Sequence, residues 1–318
     1  MISAKGKGVC NMKIVFMGTP DFAVPCLKAL IEDGNEIAGV FTQPDKPKGR
    51  GYHMIPPPVK ECALSHNIEV FQPVSMKDGT ALNILTTLTP ELIVVVAFGK
   101  ILPKEILDLP KYGCINVHAS LLPKYRGAAP IQWAVLNGEK TAGVTTMQMD
   151  VGLDTGDMLM KSELTVGDNE TADELHDRLS ALGAELIVKT VHAAEKGELR
   201  PEKQDDSLSS YASMLTKEMS AIDFSRSAQE VHNKVRGLNS WPCASAMLNG
   251  KRLKIYRTAL AKGEGTPGQV LSTQPLIVAC KEGAVEIIEL QPEGKKKMTA
   301  AAFLNGLHGV KAADLTFS

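Results

Sequence analysis

No apolar run in this chain approaches the roughly 20 residues that a membrane-spanning helix needs, and Leu92 to Phe98 has only the length of a buried strand. Met1 to Asn11 lacks the apolar segment of a secretory signal. Six cysteines (Cys10, Cys26, Cys62, Cys114, Cys243 and Cys280) form no CxxC pair and no framework spacing. They read as reduced, mostly buried thiols of a cytoplasmic protein. The loop after the first strand, Gly18-Thr19-Pro20-Asp21-Phe22, is not a G-x-G-x-x-G, and Pro20 removes an amide that a pyrophosphate cradle would use, which disfavours a dehydrogenase. Ser120 has no strained G-x-S-x-G elbow around it, which disfavours a serine nucleophile. Asp150, Asp154 and Asp157 lack EF-hand spacing, and no His pair stands at metal-ligand spacing, so catalysis without metal is expected. There is no internal repeat and no low-complexity tract.

What is present suits a globular protein of two domains. The 318 residues are 44% hydrophobic and 22% charged, enough to bury a sizeable core. A formal net charge of −1 conceals an asymmetry. From Glu218 to Ser318, 13 Lys and Arg face 9 Asp and Glu, a net of +4; from Met12 to Lys217 the counts are 20 and 27, a net of −7. A basic half beside an acidic one permits contact with a polyanion without requiring it.

Ile14–Met17, Ile37–Thr42, Leu92–Ala97 and Cys114–His118 read as strands apolar on both faces, as in a parallel sheet. Helical stretches near Ala23–Asp33 and Val59–His66 complete the alternation of a doubly wound α/β fold. Gly143–Met149 and Met158–Leu164 read as a hairpin flanking the loop Asp150–Asp157. A long helix starts at Thr171, whose spacing to Glu174 fits a capping box, carries Leu175, Leu179, Leu182 and Leu186 as its apolar stripe, and stops at Gly197. The domains fall at 12–200 and 218–318, with a polar linker at 201–217. After a helix capped by Ser227 and Glu230, the runs Leu253–Arg257, Gly268–Ser272, Leu276–Cys280 and Val285–Leu290 suggest a small β-barrel.

The chemistry concentrates at Asn116-Val117-His118-Ala119-Ser120. Strand alternation puts Asn116, His118 and Ser120 on one face, and the Pro- and Gly-punctuated segment behind them cannot extend the strand. The polar side chains therefore belong near its carboxyl end, where open α/β sheets bind ligands. An amide donor beside an imidazole suits stabilising an oxyanion while a proton moves. Each residue also has an ordinary structural role open to it: a satisfied histidine, a loop-bracing serine, a turn aspartate at Asp154. The loop from Thr42 to Lys60 carries Lys46, Lys48, Arg50 and Lys60 against only Asp45, with Gly49, Gly51 and Pro56-Pro57-Pro58. Such a loop in a compact domain is functional or a mobile surface excursion. Lys295-Lys296-Lys297 reads as a solvated turn, and Trp241-Pro242 as domain packing rather than base stacking.

The Asn-x-His-x-Ser strand, the stretch Leu122-Pro123-Lys124-Tyr125-Arg126-Gly127-Ala128-Ala129-Pro130 and the loop Asp150–Gly156 resemble the folate-dependent formyltransferases. The run Lys13–Pro20, the basic loop and the Arg236–Pro242 segment narrow the resemblance to the methionyl-tRNA formyltransferases, over roughly Met12 to the carboxyl end. Gly237-Leu238-Asn239-Ser240 departs from the Ala and Pro that many relatives carry there. The resemblance implies an OB-like second domain that binds tRNA, 10-formyltetrahydrofolate as co-substrate, and initiator methionyl-tRNA as acceptor for translation initiation. It implies Asn116, His118 and Asp154 as the catalytic set, Ser120, Leu121, Leu122 and Pro123 along the folate pocket, and Lys46, Lys48 and Arg50 as tRNA contacts. A cytoplasmic monomer is expected. Glycinamide ribonucleotide and sugar-nucleotide formyltransferases share the core, a formyltetrahydrofolate hydrolase is a further enzyme reading, and a catalytically dead RNA-binding protein is the alternative outside enzymes.

Overall fold

The computed structural model describes residues 11–48, 53–307 and 311–318, so Cys10 and Arg50 lie outside the described residues. Two compact units result. The first is drawn from the chain up to Gly127, Gly143–Leu164 and Asp177–Tyr211; the second from Ala128–Ala142, Thr165–His176 and Ala212–Ser318.

The first unit is built on a seven-stranded sheet. Its strands are β1 (Lys13–Gly18), β2 (Glu36–Phe41), β5 (Val70–Phe71), β6 (Leu92–Val96), β7 (Cys114–His118), β9 (Thr141–Gln148) and β10 (Met158–Thr165), in spatial order β10-β9-β7-β6-β1-β2-β5. A small antiparallel pair, β3 (Lys46–Lys48) and β4 (His53–Ile55), stands apart, and β8 (Arg126–Gly127) pairs with β11 (Tyr211–Ala212). The pairings β1–β2, β1–β6, β2–β5 and β6–β7 are parallel, whereas β7–β9 is antiparallel. All five residues of β6 are buried, because helices cover both faces of a parallel sheet. Those helices include α1 (Val24–Glu32), α2 (Pro58–Ser65), α3 (Thr80–Leu88) and the short α4 (Lys104–Leu107). Proline stands in the first turn of both α1 and α2, where its missing N–H would have had no partner. One core cluster packs Met17, Phe41, Leu85, Ile93, Phe98 and Ile106 together.

The long helix α6 (Ala172–Glu195) begins as expected: Thr171 and Glu174 form reciprocal hydrogen bonds, Glu174 N donating to Thr171 Oγ1 and Thr171 N to Glu174 Oε2. The cysteines that the structure describes are all free and buried. Burial pushes the Cys26 and Cys114 thiols up to about 12 and Cys280 to about 11, which keeps them inert thiols.

The second unit includes α5 (Pro130–Leu136) and α7 (Ala228–Gly237), which sequence periodicity left unmarked and marked respectively. Its antiparallel sheet comprises β12 (Ser245–Leu248), β13 (Lys251–Ala261), β14 (Val270–Thr273), β15 (Leu276–Ala279), β16 (Ala284–Pro292) and β17 (Met298–Thr299), followed by α8 (Ala300–Asn305). The sheet curls into a half-barrel, and the chain's end draws its edges together. Met247 and Ser318 exchange backbone hydrogen bonds of 2.7 and 2.9 Å, while Phe317 N donates to Gly268 O at 2.9 Å. Gly268 sits at φ +84°, and a Cβ there would lie 2.1 Å from the Phe317 carbonyl oxygen, so the closure needs glycine. Trp241, expected in packing, is 49% exposed.

Among the titratable groups of the second unit, His232 and Glu174 are both held below their ordinary pKa. His232 on α7 is 2% exposed; Thr258 Oγ1 meets its Nδ1 at 2.9 Å and the Asp168 carbonyl its Nε2 at 3.0 Å. A carbonyl only accepts, so Nε2 carries the proton and Nδ1 accepts from the hydroxyl, which satisfies the neutral ring. Burial, and then the nearby Arg236, hold its pKa below the ordinary 6.5. A depressed histidine contributes stability that is present above its unfolded value and lost as pH falls through the folded one. Glu174, held down to about 2 by the Thr171 backbone and Arg257, loses its contribution only in more acid solution. Thermal unfolding followed from pH 7.5 to 5 should therefore show a falling Tm whose slope is shallower in His232→Gln, and equal slopes would exclude His232 as the source.

Candidate active site

The site grows from the point where the sheet's order reverses. From β1 the chain moves outward through β2 and β5, then returns to β6 on the other side of β1, leaving a crevice at the carboxyl ends of β1 and β6. Thr19, just after β1, donates Oγ1 to the Phe98 carbonyl at 3.1 Å. Gln43, just after β2, donates Nε2 to the Phe98 and Gly99 carbonyls at 3.1 and 3.2 Å. Between them Ala97 is exposed at φ +46°, a left-handed conformation that costs about 1 kcal/mol or more and marks the crevice wall as built for something other than stability.

Strand β7 lies beside β6, and it brings Asn116 and His118 to this end of the sheet on one face. His118 is 6% exposed. Its Nε2 lies 2.9 Å from the Tyr125 carbonyl, so Nε2 must donate, and Nδ1 is left as the nitrogen that can gain or lose a proton. Nδ1 is 3.7 Å from Asp154 Oδ2. That carboxylate oxygen in turn accepts the Gly127 N–H at 2.8 Å. Residues 125–127 thus hold the imidazole with one end and the carboxylate with the other. Tyr125 and Asp154 both take positive φ, +61° and +54°, to make these contacts. The half-buried Asn116 carboxamide has no hydrogen-bond partner among the described residues, which leaves its donor available to a ligand.

The carboxylate loop is shaped by its own side chains. Asp150 Oδ1 accepts from Gly152 N at 2.9 Å and Thr155 Oγ1 at 2.7 Å. Gly156 passes so close to Gln148 that an added Cβ would lie 1.7 Å from its carbonyl oxygen. Gln204, within the stretch expected as a linker, donates Nε2 to the Asp154 and Gly156 carbonyls at 2.8 Å each. Its Oε1 accepts from Arg126 Nε at 3.0 Å, and Arg126 Nη2 pairs with Asp206 at 2.7 Å. Sequence reasoning missed Gln204 and Arg126 as supports of the site, since nothing in a polar run distinguishes a bracing glutamine from a solvated one.

Of the residues expected along the folate pocket, Ser120 and Leu122 point inward. Ser120 Oγ donates to the Lys124 carbonyl at 2.6 Å, and Leu122 packs against Met147 and Met158; Leu121 and Pro123 are half-buried. Lys46 is exposed on β3, the backbone of Lys48 ends that strand, and Arg50 lies outside the described residues. Lys60 is tied to Asp45 rather than free. Among the described residues no group of three or more His, Cys, Asp or Glu could hold a metal ion, and no helix is long and apolar enough to cross a membrane.

A doubly wound sheet with Asn116 and His118 at the carboxyl end of β7, and Asp154 beside His118, has the layout of an α/β enzyme whose site lies at its strand ends. The chain belongs to the formyl transferase family: residues 12–191 match formyl transferase, and residues 214–308 match the formyl transferase C-terminal domain. It is 55% identical over 298 residues to the methionyl-tRNA formyltransferase of Citrifermentans bemidjiense, spanning 93% of this chain and 94% of that one. It is 53% identical over 300 residues to that of Clostridium novyi, spanning 93% and 97%. Among solved structures, the N-formyltransferase of Helicobacter canadensis superimposes with a TM-score of 0.68 at 21% identity, over 90% of this chain and 100% of that one. HypX from Aquifex aeolicus gives 0.65 at 20% identity, over 95% of this chain and 49% of that one. Both likenesses bear on the fold.

Gly156→Ala should displace the loop that carries Asp154, since the clash is with backbone rather than with a yielding side chain. A misplacement near 1 Å at a reacting group can cost on the order of 10²-fold in rate. Turnover in a formyl-transfer assay should fall by about that factor with circular dichroism unchanged; parental turnover would show that the loop position does not matter.

Proposed function

We propose that this chain transfers the formyl group of 10-formyltetrahydrofolate to the amino group of methionine esterified to initiator tRNA, for translation initiation. The observation that carries the reading is the buried His118 with Asp154 Oδ2 3.7 Å from its Nδ1, on a strand that also brings the unpartnered Asn116 amide to the switch-point edge, in a chain of this family. The co-substrate supplies an activated formyl carbon when bound. Support for its fit comes from Asn116, whose donor meets no acceptor among the described residues, and from Val151 and Leu153, which are 72% and 55% exposed on the carboxylate loop and offer apolar contact to a flat heterocycle. The backbone of Ser120–Pro123 and the Asp150–Asp154 loop would hold it.

The chain's own residues would then divide the work. Asn116 Nδ2 would donate to the oxygen of the formyl group as negative charge develops there; one such preorganised donor is worth about 3 kcal/mol in the barrier. The attacking amine must be neutral, so a proton has to leave it. His118 Nδ1 is the ring position open to that proton, because Nε2 is committed to the Tyr125 carbonyl. Asp154, 3.7 Å away, would complete an ion pair with the ring once Nδ1 is protonated; the formyl carbon's bond to the folate nitrogen would then break, that nitrogen taking up a proton as tetrahydrofolate leaves. A role in translation supports the cytoplasm as its place. Exposed Lys46 supports the reading that the basic hairpin contacts tRNA phosphate.

The direct test supplies 10-formyltetrahydrofolate with charged initiator tRNA or with free methionine. Formylmethionyl-tRNA should form with no added metal, and free methionine should be a far poorer acceptor. Binding of the tRNA without transfer would establish an RNA-binding protein instead. His118→Ala and Asn116→Ala should each lower kcat on the order of 10²-fold or more with little change in KM, and near-parental kcat in His118→Ala would remove the imidazole from the mechanism.

A further inference from the structure

Lys60 belongs in sequence with Lys46, Lys48 and Arg50, as one cation among four on a loop, but its surroundings give it a different task. Its ammonium donates to Asp45 Oδ1, to Asp45 Oδ2 and to Gln72 Oε1, each at 2.8 Å. An ammonium has three protons, and three acceptors take them, so none remains for a phosphate. Gln72 Nε2 donates to Asp45 Oδ1 and to the Gln43 carbonyl, again at 2.8 Å each. Hydrogen bonds from Lys60 and then Gln72 hold the Asp45 carboxyl below its usual range. The Lys60 and Asp45 side chains are only 21% and 26% exposed, unlike an ordinary surface pair.

The position of this clasp matters as much as its chemistry. Asp45 immediately precedes β3, and Lys60 stands in the first turn of α2, just after β4. The two therefore join the legs of the hairpin at its root, below the pairs Lys46↔Ile55 and Lys48↔His53. Through Gln43 the same network reaches the Phe98 and Gly99 carbonyls at the wall of the switch-point crevice. We propose that Lys60, Asp45 and Gln72 are positioning residues that fix the basic hairpin against the catalytic cleft, so that its cations meet the acceptor end of the tRNA at one place. The proposal rests on the hairpin's role as a tRNA contact. A pinned root leaves less freedom to lose on binding, whereas a freed hairpin brings the same charge without the placement.

This separates placement from charge in measurable terms. Counterion release makes the salt dependence of binding report the number of phosphate contacts. Lys60→Met should raise KM for charged initiator tRNA about tenfold, with kcat at saturation and KM for 10-formyltetrahydrofolate near parental, and with the parental slope of affinity against salt. Lys46→Ala should instead flatten that slope. Asp45→Asn should reproduce the Lys60→Met effect, and the double variant should add little to either, as expected for partners in one network. A parental KM in Lys60→Met while Lys46→Ala is impaired overturns the proposal, and so does a flattened slope in Lys60→Met, which would make Lys60 a phosphate contact. Parental KM and slope in Lys46→Ala would remove the hairpin's tRNA role and the proposal with it. Should Lys60→Met lose its circular dichroism signal, Gln72→Leu keeps the ion pair and severs the neutral links. It should raise KM in the same direction, and a parental value there overturns the proposal.

Discussion

Three residues of backbone, Tyr125 to Gly127, hold the His118–Asp154 pair on which the proposed chemistry depends. The Tyr125 carbonyl takes the proton on His118 Nε2, and the Gly127 amide takes an oxygen of Asp154. One short stretch of main chain therefore fixes the tautomer of His118, the direction of its other nitrogen and the carboxylate beside it. A backbone grip has no rotamer to lose and no charge of its own to be screened, so the pair keeps its geometry as the proton moves. The positive φ of Tyr125 is the local cost of that grip.

The grip is itself held from behind. Arg126 N donates to the Ser210 carbonyl, Tyr125 N to Ser210 Oγ, and Gln204 ties Arg126 to the backbone of the Asp154 loop. By composition this segment reads as a connector, and polar residues of this kind usually face water. Here they satisfy main-chain groups that the short β8–β11 pair leaves over, on Tyr125 and on the Asp154 loop. Buried or half-buried loops need such partners, since an unpaired amide or carbonyl away from water costs more than a hydrogen bond returns.

How much was legible in advance follows from the range of the forces involved. Cys114–His118 is a strand over the residues its apolar alternation marks, and both capping boxes, Thr171 with Glu174 and Ser227 with Glu230, close as their three-residue spacing requires. These are local patterns. The strand β12 and helix α5 were not legible, because Ser245–Leu248 and Pro130–Leu136 are short and draw their definition from neighbours distant in sequence. Ser120 shows the reach of alternation: β7 ends at His118, and beyond it the Ser120 hydroxyl donates to the Lys124 carbonyl, the loop-bracing contact that its residue type also allowed. Lys60 shows the limit of counting charge along a loop, since the partner that neutralises it lies 15 residues away.

The same contrast explains how the molecule divides its labour. The core of the site is specified by strand ends and backbone contacts, which tolerate wide change in surrounding side chains and persist wherever the fold does. A fold of this kind hosts many acceptors, so the choice of acceptor cannot reside in the sheet or in the His118–Asp154 pair. It has to lie in features added to the scaffold, and the hairpin β3–β4 is such a feature: a two-stranded pair outside the main sheet, inserted between β2 and α2. An isolated two-stranded hairpin is marginal in water. Its usefulness to a reaction that demands close placement then depends on what fixes its root, and the Lys60–Asp45–Gln72 cluster there is linked through Gln43 to the wall of the crevice.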